Sequence, residues 1–523
     1  MHPNFSVLAI AAALTSSLCA EVKPNTLFSD GAVLQRGQAI PVWGTARDGE
    51  KVTVEFQGQK ATTTAANGKW SVHLDPLKEG GPFTMTLTGD NTVTVNNLLV
   101  GEVWLCSGQS NMNLLFSRVH NAAEEAPKAN YPEIRSFKVP VTVSLTPLAE
   151  AKGAWIACSP ETVNEFSGVG YFFARDIHRK LGVPIGLIHS ALGATPAQAW
   201  TSLEGLKTDP VMQEYVDAVI RRRENYEAET ATYPAKLAEH ETRLAEWNET
   251  KAKVQKEKLK AWNEAVAKAK EAGQPAPRRP RPPRPPKAPV PPEGQPTDPA
   301  VLFNGMIAPL VPYGIKGVLW YQGESNSGRA KEYLTLFPAM IADWRTRWKQ
   351  GDFPFLYVQV APWGGMPPEI REAQFLSLGK VKNTAMTVTT DFGDADDIHP
   401  KQKEPVGQRL AIAARALAYG EAIEYSGPLY DSMKVEIGKI ILSFQHVGGG
   451  LMAKDGPLKG FTIAGKDKEF VPARAEIEGS TIVVSADGVA DPQAVRYGWA
   501  NVPDVNLFNR EGLPASPFRT DVD

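Results

Sequence analysis

The chain has 523 residues, 42% of them hydrophobic and 22% charged, and a formal net charge of −2. At that length a single core does not serve the whole chain, and about three domains are expected. The near-neutral balance speaks against a dedicated nucleic-acid binder, which would carry a basic face, so no nucleic-acid partner is expected.

Residues 1–20 hold an apolar run, Phe5 to Leu14, too short to span a bilayer, that leads through Leu18-Cys19 to Ala20. This is the pattern of a secretory signal cleaved after Ala20, and it implies a secreted or periplasmic protein. No other segment is apolar enough to cross a membrane. Cys106 and Cys158 then remain, either as a disulfide of an exported protein or as two buried thiols.

From 21 to 99 short alternating runs follow one another without helices: Ala39 to Gly44, Val52 to Phe56, Trp70 to Leu74 and Phe83 to Leu87, with Ala66-Asn67-Gly68 as a hairpin turn. Strands at this spacing predict a β-sandwich. Between 100 and 419 strands alternate with helices. Strands are expected at Val103 to Cys106, Ile185 to His189, Val318 to Tyr321, Phe355 to Val360 and Ala385 to Thr389. Helices are expected at Gly170 to Leu181, Tyr333 to Trp348 and Val406 to Ala418. The pattern predicts a parallel, doubly wound α/β sheet whose ligand site lies just past the carboxyl ends of its strands.

An insertion at 205–298 interrupts that sheet. Ala235 to Ala272 read as a long helix rich in Ala, Glu and Lys, and Pro275 to Pro292 as extended polyproline acting as a stiff linker. Alternating runs return over 420–523 and predict a second all-β domain.

Four strand ends carry chemistry. Gly108-Gln109-Ser110-Asn111 follows the first strand, and Met112, Leu115 and Val119 continue it at helical spacing. A strand-to-helix turn lifts the Ser110 hydroxyl clear of the sheet and presents free backbone N–H groups beside it. A serine capping a helix gives the same pattern, so a base and an anion cradle must come from elsewhere. His189 to Trp200, with Gly193, follows the second strand. Trp320-Tyr321-Gln322-Gly323-Glu324-Ser325-Asn326 ends the third, and Asp391 to Pro400 the last. A serine needs an imidazole to take its proton and a carboxylate to hold that imidazole in one tautomer. Asp396 and His399, three apart on an acidic loop, fit those roles, and His189 is assigned to the core. Donors for a developing oxyanion are the N–H groups of Ser110 and Gly193 and the side chain of Gln322 or Asn326. No His-Glu-x-x-His, Cys-x-x-Cys or Gly-Lys-Ser/Thr motif points to zinc or nucleotide, and Asp394, Asp396 and Asp397 lack the Gly and distal Glu of an EF-hand.

Gly108-Gln109-Ser110-Asn111-Met112, Trp320 to Asn326 and Asp397-Ile398-His399-Pro400, in that order, resemble the sialate O-acetylesterase family of SGNH hydrolases, related to bacterial acetyl xylan esterases. The resemblance implies a flavodoxin-like catalytic domain flanked by the two all-β domains, removing O-acetyl groups from sugars without a metal or organic cofactor. It makes Ser110 the nucleophile, His399 the base, and Ser110, Gly193 and Gln322 the oxyanion hole. Asp396 completes the triad by its Asp-x-x-His spacing, with Glu324 and Asp397 as alternatives. Gln109, Asn111, Asn326 and Arg371 are expected to bind substrate. Gly193-Ala194 departs from the two glycines usual in the family. An acetylated sugar or polysaccharide is the expected partner. A glycoside hydrolase using two carboxylates and a non-catalytic carbohydrate-binding protein are the competing readings.

Overall fold

The computed structural model describes residues 21–280 and 285–521; the expected signal segment lies outside them. The N-terminal runs form two sheets. One joins Lys23–Pro24, Ile40–Thr45 and Lys69–Leu74. The other places Lys51–Phe56 between Gln59–Thr64 and Gly80–Thr88, and the last of these pairs with a 17-residue strand, Thr92–Gly108, here β1. Alternation accounts for the pairing of faces: Val52, Val54 and Phe56 point inward while Lys51 and Glu55 face solvent. The Asn67-Gly68 turn forms with both residues at positive φ.

β1 does not stop at the expected boundary near residue 99. Its first half pairs antiparallel in the N-terminal sheet, and its second half becomes a central strand of a parallel sheet. That sheet also contains β2 (Tyr131–Lys138), β3 (Trp155–Cys158), β4 (Ile185–Ala191), β5 (Gly317–Tyr321), β6 (Phe355–Val358) and β7 (Thr384–Thr387). The order is β3-β2-β4-β1-β5-β6-β7, all parallel except β3 at one edge. Strand order reverses at β1, since β4 flanks it on one side and β5 on the other, and a crevice at the carboxyl ends follows from that topology. In register, Gly108 stands opposite both Ala191 and Tyr321. Whatever follows these three residues therefore meets at one place.

Both faces of this sheet are covered, so its strands are apolar throughout rather than alternating with polar residues. Trp104, Cys106, Leu319, Tyr321, Leu356 and Val358 pack with Val169, Phe173, Leu410 and Ala414, from helices Gly168–Leu181 and Glu404–Leu417. Val103, Leu105, Val318, Trp320, Phe355 and Tyr357 face the other way, against Leu336, Phe337, Met340 and Trp344 of helix Ala330–Trp348. Each fully buried Val, Leu or Phe on these faces contributes about 1.5–3 kcal/mol. The second core is continuous with that of the N-terminal sheets. The C-terminal strands are different, enclosing a core of their own that includes Ile440, Ile482, Val495 and Phe518.

The helix expected to run on from Ser110 is a single turn, Ser110–Asn113. Leu114 turns extended, and Leu115 and Val119 flank a short 3-10 turn, Phe116–Arg118, as its extended caps. The insertion helix is longer than its apolar stripe suggests. It spans Gln213–Glu271, 59 residues, about 90 Å at 1.5 Å per residue. Residues on either side of 281–284 bond to it, with the Trp262 indole donating to Pro277 O (2.8 Å) and Tyr226 hydroxyl to Glu293 (3.4 Å). The root of the insertion closes where Ala300 N–H donates to Gln198 O (2.9 Å). Cys106 and Cys158 are free and buried, and burial pushes each thiol up to about 12. No described helix is long and apolar enough to cross a membrane.

Candidate active site

Gly108 is the first requirement. Its φ is +131°, and a Cβ there would collide with Tyr321 O, so only glycine lets β1 end this close to β5. Gln109 N–H then donates to Tyr321 O (2.9 Å). Ser110 follows at the start of the helical turn, half-buried. Ser167 holds the turn from behind: its hydroxyl donates to Met112 O (2.7 Å) and also accepts Gly170 N–H (3.2 Å), capping the next helix.

Across from Ser110, His399 Nε2 lies 2.8 Å from the serine Oγ. The loop that brings it is organised by aspartates rather than by regular structure. Asp394 Oδ1 accepts the N–H of Asp396 (2.8 Å) and of Asp397 (3.3 Å), and Asp397 Oδ1 accepts the N–H of His399 (2.9 Å). The same Asp397 oxygen stands 3.5 Å from His399 Nδ1. Asp396, the carboxylate expected there, is exposed. The Asp-x-x-His spacing would need a helical turn to carry Asp396 to the ring. The aspartate-capped turn carries its neighbour instead.

Gly193 packs against Ser110, a Cβ there standing 3.3 Å from Ser110 Cβ. Its loop is pinned by Thr195, whose hydroxyl donates to Leu192 O (2.7 Å) and accepts the Trp200 indole N–H (2.9 Å). Ala194 adopts a left-handed φ of +58° where the family resemblance favours glycine. Gln322 is buried at the end of β5, yet its amide nitrogen already donates to Thr195 O (3.2 Å) and Asn326 Oδ1 (2.7 Å). Both amide hydrogens are engaged, so Gln322 holds the cradle's backbone rather than offering a free donor.

The residues expected to touch substrate face inward. Gln109 is buried, with Oε1 accepting Ser325 N–H (3.2 Å). Asn326 accepts from Ala197 N–H (2.9 Å) and donates to Gln198 Oε1 (3.0 Å). Arg371, fully buried, donates to Ala500 O and to Asn501 O (3.4 Å) in the C-terminal all-β region; burial pushes its guanidinium down to about 10. Asn111 is enclosed too, and its amide donates to Glu324 Oε1 (2.6 Å) and Ile398 O (3.1 Å). These polar side chains join one turn to another, a role that residue type alone does not distinguish from ligand binding.

Asn111 leads to a residue that no sequence pattern marks. Lys403 Nζ donates to Asn111 Oδ1 (2.6 Å) and lies 5.0 Å from the Tyr321 ring centroid. Lys403 is buried, and burial pushes its ammonium down to about 7 against the pull of Glu324 and Asp397. Burial likewise raises the Glu324 carboxyl above its usual range, opposed by its own backbone N–H, Asn111, Lys403 and His399. Glu324 serves Asn111 rather than the imidazole, which leaves Asp397 as the carboxylate within ion-pair distance of His399. His189, inside β4, is buried, and burial pushes it down to about 4, which keeps it neutral. Among the described residues no group of three or more His, Cys, Asp or Glu is placed to hold a metal ion. A cavity of about 810 Å³ between Phe303 and Arg347 is lined by none of these residues.

A hydroxyl 2.8 Å from an imidazole, beside the N–H groups of a helix start, is equipped for acyl transfer. Comparison with known proteins points the same way. Residues 303–416 match the family model described as carbohydrate esterase, sialic acid-specific acetylesterase. The sialate O-acetylesterase of Rattus norvegicus is 33% identical over 91% of this chain and 90% of its own. That of Homo sapiens is 29% identical over 94% and 91%. The crystal structure of a carbohydrate acetylesterase from Xanthomonas citri superposes with a TM-score of 0.77 at 34% identity, covering 96% of this chain and all of that one. The chain belongs to the sialate O-acetylesterase family of carbohydrate esterases and is a carboxylic ester hydrolase.

Proposed function

We propose that this protein is a serine esterase that removes O-acetyl groups from carbohydrates, with Ser110 as nucleophile, His399 as general base and Asp397 as the carboxylate that orients it. The observation that carries the reading is the 2.8 Å approach of His399 Nε2 to Ser110 Oγ. The strand order around β1, which with β4, β5, β6 and β7 alone reads 2-1-3-4-5 by position in the chain, supports a flavodoxin-like catalytic domain of the SGNH type.

In this mechanism Ser110 Oγ attacks the acetyl carbonyl carbon as Nε2 takes the hydroxyl proton. The carbonyl oxygen becomes an oxyanion facing the N–H groups of Ser110 and Gly193. Collapse breaks the bond to the sugar oxygen, which leaves with the proton from Nε2, and Ser110 keeps the acetyl group. A water then repeats the sequence, giving its proton to Nε2 and releasing acetate as Oγ is reprotonated. The relatives are named for sialate and for carbohydrate generally; an O-acetylated carbohydrate is the class they share and the substrate we assign. The test is Ser110→Ala on 4-nitrophenyl acetate and on an acetylated glycan. Loss of turnover on both with the fold intact is expected. Retained turnover would overturn the nucleophile assignment and favour a two-carboxylate mechanism, and a wild type inactive on both would favour a binding protein.

A further inference from the structure

Beside the nucleophile lies an open groove of about 700 Å³ that the reaction at Ser110 does not use. It begins at Ala194, one residue past Gly193, and runs between the 3-10 turn after β5 (Ser325, Gly328, Arg329) and the roots of the insertion (Tyr215, Arg221, Thr297). Both ends of the insertion, at the start of the long helix and after the proline-rich segment, thus form one wall.

We propose that this groove is a subsite for the sugar linked to the acetylated one, so that the enzyme acts on O-acetylated oligo- or polysaccharides in preference to the free acetylated monosaccharide. The proposal rests on the esterase reading of Ser110. Its volume lies within the roughly 300–1,000 Å³ of small-molecule sites, far more than an acetyl group fills. Its lining mixes small apolar side chains, Ala194, Pro196, Ala218 and Pro299, with polar ones, the combination a sugar's C–H faces and hydroxyls require. The polar groups are not all spent on the protein. Gln198 Oε1 accepts from Asn326, which leaves the Gln198 amide N–H₂ to donate. Arg221 is exposed and in no ion pair among the described residues. Arg329, by contrast, is held by the Tyr215 hydroxyl (2.9 Å) and by Glu214 and Glu332 (3.8 and 3.7 Å), which makes it fixed wall.

The body side of the groove offers a clean probe. A Cβ at Gly328 meets nothing within 4 Å, so Gly328→Trp places an indole in the groove without backbone strain. Thr297→Trp, at an exposed position, does the same from the insertion side. The measurement is kcat/KM for linked against free substrate in two series: acetylated xylo-oligosaccharides against acetylated xylose, and O-acetylated sialyllactose against O-acetylated sialic acid. The wild type is expected to favour the linked form by about tenfold in one series, and both tryptophan variants to reduce that ratio to near unity. The responding series identifies the sugar as neutral or carboxylated. No preference for linked substrate in either series, or a preference that survives both variants, would overturn the subsite while leaving Ser110-dependent cleavage of 4-nitrophenyl acetate in place. Failure of that cleavage would overturn both.

Discussion

The two halves of the site are built on opposite plans. Ser110 stands at the end of a strand buried on both faces, on a turn fixed from three sides by Tyr321 O, by Ser167 and by the Asn111 amide. His399 comes from a loop without regular structure, its side chain 35% exposed and that of Asp397 47% exposed. Side-chain bonds hold this loop, Asp394 over two N–H groups and Arg409 gripping both oxygens of Asp391 at 2.8 and 2.7 Å, together with backbone bonds from Gly364 N–H to Ala395 O (3.0 Å) and from Asp394 N–H to Pro362 O (3.1 Å). The serine half is held by hydrogen bonds enclosed in a packed core, the histidine half by hydrogen bonds in partial contact with water. The difference teaches where each half is vulnerable: one through shape, the other through charge.

If the halves form one catalytic unit, removing either removes the whole. Ser110→Ala, His399→Ala and the double variant are each expected to lower kcat by about 10⁴-fold or more, to a common floor. A double variant falling well below either single one would break that view, and single-turnover kinetics on 4-nitrophenyl acetate decide it. The next effect tests shape alone. Gly108→Ala, with its Cβ against Tyr321 O, is expected to cost about 3 kcal/mol, a large share of an ordinary domain's stability, read from urea unfolding.

Charge is tested on the other half. Asp397→Asn is expected to lower kcat about 100-fold while Asp396→Asn changes it less than about twofold. Equal effects would return Asp396 to the role its spacing suggests. A fourth test lies where the halves meet. Lys403 has its ammonium pushed down to about 7 in the fold, whereas the unfolded chain holds the ordinary lysine value. Between the two the unfolded state binds more protons, so this group's contribution to stability is fully present above the unfolded value and is lost as pH falls through about 7. Lys403→Met should therefore flatten the rise of stability across that interval, as urea midpoints at a series of pH values would show. The smallest effect belongs to Ala194. Its left-handed φ of +58° disfavours a Cβ, and Ala194→Gly is expected to gain about 0.5 kcal/mol once glycine's own entropy is set against the relief.

The same contrast explains what the chain discloses without its structure. Ile185, Val318 and Phe355 open strands within a residue of where their apolar runs place them, because burial on both faces leaves no other use for such runs. The approach of His399 to Ser110 is legible from residue type and strand-end position, and the register of Gly108 opposite Ala191 and Tyr321 brings the loops together. Spacing favours Asp396 over Asp397, yet which aspartate faces a ring depends on loop dihedrals that i+3 counting does not capture. Asn111 and Arg371 look like ligand contacts because polar side chains read alike whether they bond a sugar or a distant backbone. Lys403 is invisible in sequence: nothing local to a lysine ahead of a helix says that Asn111, nearly 300 positions earlier, will enclose it.

The 17-residue strand from Thr92 to Gly108 acts as a beam shared by one N-terminal sheet and the parallel sheet that carries Ser110. A truncation at residue 99 would saw through that beam instead of separating independent modules. Asn97 bends it, at a left-handed φ of +57° where its pairing with Gly80–Thr88 slips register; beyond that bend the strand runs on to the serine, so backbone amides on either side of Gly101 are expected to exchange with deuterium as one cooperative block.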